Sequence, residues 1–350
     1  MKERVLITGG AGFIGSHAVD ALAAAGFSVR VMDTMRRCTL LPWMNKKAEY
    51  CDGDVRNKKD WTAALKKVTY VAHLAGYLDD HEDFSIYTTV NVASIALLYE
   101  VIAEKKYPIK KIIAASSQTV YGEGRYRCAR HGIIYPPPRP EEQLRRKEWD
   151  VICLICGERA EPLAAEEFDP LQPMTPYGLS KKMAEENLFF FGRRLGIPSS
   201  VARFTIVQGT HQARRPSSSG ALQQLARRAL TREPLILFED GKQLRDFVDV
   251  RDVASALLAL LASPAADFEV FNVGSGAPTL ISDFGAIVAR LAGVEFRPMI
   301  SGVYRVGAPR HAIADITKIK KIGWQPRYSS EETIAEYLGW IKKMPSTLKV

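Results

Sequence analysis

The run RVLITGGAGFIGSH, Arg4 to His17, limits the fold more than any other stretch of the chain. A short apolar segment meets glycines at positions 9, 12 and 15, and the pattern predicts an amphipathic helix from Gly12 to Ala25. In the spacing G-x-x-G-x-x-G, Gly9 allows a tight turn and Gly12 lets the backbone approach a pyrophosphate. Gly15 lets the helix pack closely on the strand. Phe13 and Ile14 open that helix, whose N–H groups and partial positive charge suit phosphate. The second strand, SVRVMD, ends in Asp33, where a carboxylate can accept from adenosine ribose hydroxyls and repels a 2′-phosphate. NAD is therefore expected over NADP, with Arg36 and Arg37 the residues that argue the other way. Asp54, in GDVRN just past the third strand, is placed within reach of the adenine.

Further strands, TYVAHLAG and KKIIAASS, alternate with helices, NVASIALLYEVIAEKK and MTPYGLSKKMAEENLFFFGRRLG, before SSVARFTIV. That alternation predicts an α/β fold, a doubly wound parallel Rossmann sheet. Residues 1–207 are read as the NAD-binding domain and 208–350 as mainly a smaller substrate-binding domain. Residues 246–275 are expected to return to the first. Between 125 and 161 the pattern breaks, with four prolines before Glu141 and no sustained period, which marks an insertion.

The net charge of +9, from 48 Lys and Arg against 39 Asp and Glu, favours an anionic partner. Basic residues are spread without an aromatic-interleaved cluster, so a phosphorylated small molecule fits better than nucleic acid. Five cysteines, Cys38, Cys51, Cys128, Cys153 and Cys156, are odd in number and uneven in spacing, unlike a secreted disulfide framework. No apolar run in the sequence approaches the ~20 residues that span a bilayer. No membrane partner and a cytoplasmic location are expected.

Tyr177 and Lys181, in TPYGLSK, stand at i and i+4 on one helix face. A tyrosine acting as a base must lose a proton with an ordinary pKa of about 10, which requires ~4 kcal/mol of phenolate stabilisation near neutrality. A lysine ammonium one turn away favours the phenolate, and Lys181 can also hold the nicotinamide ribose. Ser117, at the C-terminal end of its strand, can hydrogen-bond a substrate oxygen.

TGGAGFIGSH, GDVRN, HLAG, SSQTVYG, PYGLSK, DGKQLRDFVDVRDVA, FNVGSG and KKIGWQP occur in one chain and in this order. The set resembles the extended short-chain dehydrogenase/reductases, in their nucleotide-sugar epimerase/dehydratase branch. The resemblance implies an isomerase with bound NAD. Tyr177 takes a sugar hydroxyl proton while hydride leaves to NAD, and the keto-sugar rotates and receives the hydride on its other face, with C4 the expected centre. It makes Ser117, Tyr177 and Lys181 catalytic. It adds Val55, Leu74 and Ala75 to the cofactor contacts, and Thr119, Arg245, Arg305 and Arg310 to the substrate contacts. The arginines would grip a nucleotide diphosphate with planar forks. Helices around Asn91–Lys105 and Tyr177–Gly196 resemble those of a four-helix homodimer interface.

The chain also departs from the family pattern. Ile206 stands where many relatives have a substrate-contacting asparagine. Gln118 and Thr119 replace the Asp-Glu pair with which sugar 4,6-dehydratases eliminate water, which favours epimerisation. UDP-hexoses are the first substrates to consider, and dTDP-L-rhamnose-type sugars the second. A dehydratase, a net oxidoreductase and an NAD-binding redox sensor are the alternatives.

Within the insertion, CARHG and CLICG are two C-x-x-[CH]-G turns. Cys128, His131, Cys153 and Cys156 fit a closed tetrahedral zinc site, structural because no coordination position stays open. The zinc would fold a loop otherwise without a core.

Overall fold

The structure is a computed structural model and describes residues 2–35, 42–79, 83–212 and 220–344. Arg36 and Arg37 lie outside these residues.

Strands β1 (Arg4–Thr8), β2 (Ser28–Asp33), β3 (Glu49–Asp52), β4 (Tyr70–His73) and β5 (Lys111–Ser117) join Ser199–Phe204 and Val270–Val273 in one sheet. Its order is β3-β2-β1-β4-β5, then Ser199–Phe204, then Val270–Val273, every pair parallel. A sheet covered on both faces needs strands apolar on both faces. In β1, Val5 and Ile7 face one core and Leu6 the other. The first core holds Val19 and Leu22 of α1 (Phe13–Ala24) and Leu257 and Leu260 of the helix Val250–Ala262. The second holds Trp61, Ile95, Leu98 and Leu188. Strand order reverses between β1 and β4, and open α/β sheets bind ligands beside that point, at the carboxyl ends of their strands.

Phe84–Lys105 forms a continuous helical run of 22 residues, long and apolar enough by length and composition to cross a membrane. This corrects the expectation that no such run exists: Thr88, Thr89 and Asn91 interrupt the apolar pattern in sequence but not the helix. Half of its apolar window is buried inside the protein, the position of a core helix. Its Tyr87–Ala93 portion is a π-helix, a rare form frequent at functional sites.

A third core, with Leu222, Leu225, Leu237, Phe284, Val288, Tyr337 and Leu338, gathers the remaining C-terminal helices. The helix Val250–Ala262 packs on the large sheet, of which Val270–Val273 is a strand, and Ile316, Ile319 and Trp324 pack there as well. The insertion is more ordered than its sequence suggests. Arg125–Cys128, Gly132–Ile134 and Glu161–Leu163 form an antiparallel sheet, and Tyr126, Val151 and Ala160 make a small core. Strands of three or four residues are too short to display a period of two, so the sequence pattern misses them.

Candidate active site

The first turn after β1 is built for a pyrophosphate. Gly9 has φ +70°, and a Cβ on Gly15 would lie 2.1 Å from the Gly9 carbonyl oxygen. Only glycine permits that approach of helix to turn. Gly12 caps α1 without a side-chain hydrogen bond, so no side chain competes for the leading N–H groups, which include those of Phe13 and Ile14. Asp33 Oδ2 accepts from the Ala11 amide at 3.1 Å, at the end of β2, and burial pushes its carboxyl above the ordinary range. Leu74 and Ala75 close the far side, their amides donating to the carbonyl and hydroxyl of Thr8, each at 3.2 Å. Asp54 accepts from Arg56 at 2.6 Å. Val55 is buried in the core, its carbonyl accepting from the Trp61 indole at 2.8 Å. This cradle fits a dinucleotide.

Ser117 ends β5, and its Oγ accepts from the Thr119 amide at 3.2 Å. A hydroxyl that accepts locally still has its proton to give. Next to it, Gln118 Oε1 and Thr119 Oγ1 are buried polar atoms without a partner among the described residues. Tyr177 lies in the first turn of Pro176–Leu195. That helix starts where Thr175 Oγ1 accepts from the Gly178 amide at 3.0 Å and Pro176 pre-sets the first turn. One turn on, Lys181 Nζ lies 5.7 Å from the Tyr177 ring centroid and donates to the Ala115 carbonyl of β5 at 2.9 Å. Burial lowers the Lys181 pKa to about 8, against the pull of Glu185 toward the charged form. The structure thus brings Ser117, Tyr177 and Lys181 together at the C-terminal end of β5.

Asn91, Glu185 and Arg203 were not singled out in the sequence. From the π-helix, Asn91 Nδ2 donates to Ser180 Oγ at 2.9 Å and to the Tyr77 carbonyl at 3.0 Å. Glu185 takes two hydrogen bonds from Arg203, at 2.9 and 2.6 Å, and one from Ser116 Oγ, bolting the catalytic helix to the sheet. A glutamate four residues after Lys181, on the same helix face, was the available signal.

A cleft runs from Gln118 and Thr119 to Pro309 and His311, linking the loop after β5 to the segment that holds Arg245. Arg245 Nη1 donates to the Leu244 and Arg310 carbonyls at 2.8 and 2.9 Å, and Nη2 to the Pro309 carbonyl at 3.0 Å. The Nε–H and the second Nη2–H share the remaining edge, the edge a phosphate can grip with two bonds. Burial lowers its pKa to about 10, so it is charged at neutral pH. Arg305 is exposed, its guanidinium carbon 5.4 Å from the Phe238 ring centroid. Arg310 corrects the expected clamp. It is 2 % exposed and its guanidinium is neutralised by Asp240, at 2.7 and 2.9 Å, and Glu239, at 2.8 Å. An arginine so committed holds protein to protein. Ile206 sits in a parallel pairing with Phe247.

In the insertion, the donor atoms of Cys128, His131, Cys153 and Cys156 all lie within 4.8 Å of one another. His131 Nδ1 is 3.5 Å from the sulfurs of Cys128 and Cys153, and Cys128 Sγ is 3.6 Å from Cys156 Sγ. Zn–S and Zn–N bonds of about 2.3 and 2.0 Å give tetrahedron edges of roughly 3.5–3.8 Å, so the set fits zinc. Against the upward push of burial, the backbone N–H groups of Arg130 and His131 bring the Cys128 thiol down to about 6.

A parallel sheet with a glycine cradle, an acid ending β2, and serine, tyrosine and lysine on adjoining elements defines a dinucleotide-dependent enzyme of the extended short-chain dehydrogenase/reductase type. The chain belongs to the NAD dependent epimerase/dehydratase family, which it matches over residues 5–142 and 153–274, the break falling inside the insertion. It is 32% identical to a dTDP-L-rhamnose 4-epimerase of Burkholderia thailandensis, over 97% of this chain and 95% of that protein. It is 30% identical to a putative UDP-glucose 4-epimerase of Methanocaldococcus jannaschii, over 97% and 98%. The fold is similar to that of a Thermotoga maritima UDP-glucose 4-epimerase solved with UDP-glucose, at a TM-score of 0.79 and 27% identity, covering 97% and 99% of the two chains.

Proposed function

We propose that this protein is an NAD-dependent epimerase of a nucleotide-diphosphate sugar that inverts C4. The observation that carries the reading is Tyr177, Lys181 and Ser117 meeting beside the cradle, in a chain that also holds the Arg245 guanidinium with one edge left for a phosphate. The naming of the relatives as 4-epimerases supports it. Bound NAD, held by the Gly9–Gly15 turn and Asp33, would supply a reversible hydride acceptor. Tyr177 takes the proton from the 4-hydroxyl and returns it. Lys181 favours the phenolate through its charge, and Ser117 donates to the same sugar oxygen. Arg245 and Arg305 hold the diphosphate, so the keto-sugar ring stays free to turn over between the two halves of the reaction. Gln118 and Thr119 offer no acid or base for eliminating water, which disfavours a dehydratase.

Zinc on Cys128, His131, Cys153 and Cys156 would be structural, since four protein donors leave no site for substrate. Leu179, Met183 and Phe190 are exposed large apolar residues on the helix Pro176–Leu195, which supports pairing of two copies through that helix.

The test is product analysis in D₂O with UDP-glucose, UDP-galactose and dTDP-L-rhamnose. An isomer of unchanged mass, without solvent deuterium at carbon, is expected. Loss of water, or a two-hydrogen change that requires added nicotinamide cofactor, would replace the reading with a dehydratase or a net oxidoreductase.

A further inference from the structure

The insertion is not a free appendage, because Arg139 reaches from it into the interior. Arg139 is 6 % exposed. Within the insertion its Nη1 donates to the Trp149 carbonyl at 2.8 Å. Beyond it, Nη1 and Nη2 bind the two oxygens of Glu239 at 3.1 and 3.0 Å, and Nη2 also donates to the Ala308 carbonyl at 3.1 Å. Glu239 takes a further bond from Arg310 Nη1 at 2.8 Å, and the Arg310 amide donates to Glu123 at 2.6 Å. Ala308, Pro309 and Arg310 are therefore fixed from one side by Arg139, Glu239 and Glu123. Facing the other way, the Pro309 and Arg310 carbonyls are the groups that hold the Arg245 guanidinium.

We infer that Arg139 is a positioning residue, through which the insertion sets the orientation of Arg245 toward the substrate diphosphate. The inference rests on the proposed role of Arg245 as the clamp. A planar guanidinium bridging one carboxylate and two carbonyls fixes a direction, which a lysine ammonium does only in part. The segment 308–310 carries no regular secondary structure, and besides the turn bond from the Ala308 amide to the Arg305 carbonyl it is tied by these side chains. Without Arg139, the two carbonyls lose one of their anchors, and the phosphate-binding edge of Arg245 loses its fixed aim. Chemistry at Ser117 and Tyr177 is untouched, because neither residue belongs to this network.

The experiment is calorimetric titration of UDP and dTDP into the NAD-loaded protein, with KM and kcat for the nucleotide sugar it converts. The chains compared are the parent, Arg139→Gln, Arg139→Lys, Arg245→Gln and the double variant Arg139→Gln/Arg245→Gln. Arg139→Gln is expected to weaken nucleoside diphosphate binding and raise KM by about tenfold, with kcat within about threefold of the parent. Arg139→Lys should recover part of the loss, and the double variant should bind no worse than Arg245→Gln alone. Binding by Arg139→Gln within twofold of the parent, losses that multiply in the double variant, or a fall in kcat at unchanged KM would each overturn the inference. Should Arg139→Gln fail to fold, Arg139→Gln/Glu239→Gln removes both buried charges and meets the same criteria. An Arg245→Gln protein that binds UDP and dTDP like the parent refutes the clamp itself. An inert Arg139 beside an Arg245→Gln that loses binding refutes only the positioning role.

Discussion

Lys181 Nζ sits 5.7 Å from the centre of the Tyr177 ring, one helical turn away, while its hydrogen bond to Ala115 ties it to the strand that ends in Ser117. Tyrosine, lysine and serine are thereby fixed relative to one another across one helix–strand interface, which the Ser116–Glu185 bond also secures. Replacing Tyr177 by Phe removes one oxygen and leaves the helix intact. Turnover should fall by about 10²–10⁴-fold, the usual worth of a positioned proton-transfer group. Turnover assays, together with NAD content after denaturation, should show lost activity with cofactor retained.

The pH profile should report on Lys181. Its pKa is depressed to about 8 by burial, so it is charged below that pH and neutral above it. The support that its charge gives the phenolate is present below about pH 8 and disappears as pH rises through it. An alkaline fall in kcat/KM near pH 8 is expected. Lys181→Arg, which stays charged, should have a lower maximum but little alkaline fall up to pH 9. An unchanged alkaline limb in that variant would assign the fall to another group.

Metal analysis of the purified protein should find one zinc per chain, and chelation should lower Tm by several degrees. The four donors are spaced for a tetrahedral ion, and the core beside them is small, built on Tyr126, Val151 and Ala160. Binding free energy in such a small unit is largely folding free energy. Cys153→Ser should lose the metal and match the chelated protein in Tm. A metal-free preparation that melts like the parent would remove zinc from the account.

Glu185 and Arg203 form a buried pair beneath the catalytic helix, each 5 % exposed or less. Glu185→Ala leaves the guanidinium buried with only neutral partners, the Tyr121 hydroxyl and the Glu167 carbonyl. Loss of one partner of such a pair costs about 3–5 kcal/mol. Urea unfolding should show a loss of unfolding free energy of that size, larger than that of a double replacement by Leu and Met.

The glycine turn, Asp33, Ser117, Tyr177 and Lys181 were legible in sequence because each belongs to a local signal: a fixed spacing, a strand end or an i, i+4 pair. The Cys and His quartet was legible for the same reason. Arg310 was misread because a motif position does not reveal that Asp240 and Glu239, some 70 residues earlier, have claimed its charge. Arg139 and Asn91 were missed because their partners are set by tertiary packing. In sequence Arg139 is one more arginine among prolines. The length of the helical run Phe84–Lys105 was hidden by its threonines and Asn91, which turn inward or bond to the backbone of the preceding turn.

Acid should destabilise the fold, with His73 contributing measurably. His73 is enclosed between Thr8 and Ser94. Ser94 Oγ donates to the Val90 carbonyl, so it accepts from His73 Nε2 at 3.0 Å, and His73 Nδ1 accepts from Thr8 Oγ1 at 2.7 Å. That arrangement suits a neutral ring, and burial first, then the Lys181 charge, lower its pKa to about 3. The unfolded chain takes up this proton near pH 6.5 and the folded chain does not. Stability from this site is therefore complete above about pH 6.5 and declines toward pH 3, at about 1.4 kcal/mol per pH unit once the unfolded ring is protonated. His17, His211 and His311 are also lowered by burial and add slopes of the same sign. Urea unfolding at pH 7, 6 and 5 should show a falling free energy. In His73→Gln the slope should be shallower by about one proton, on a lower baseline. Equal slopes in the two proteins would mean that His73 takes up its proton in the folded state and contributes nothing to the acid sensitivity.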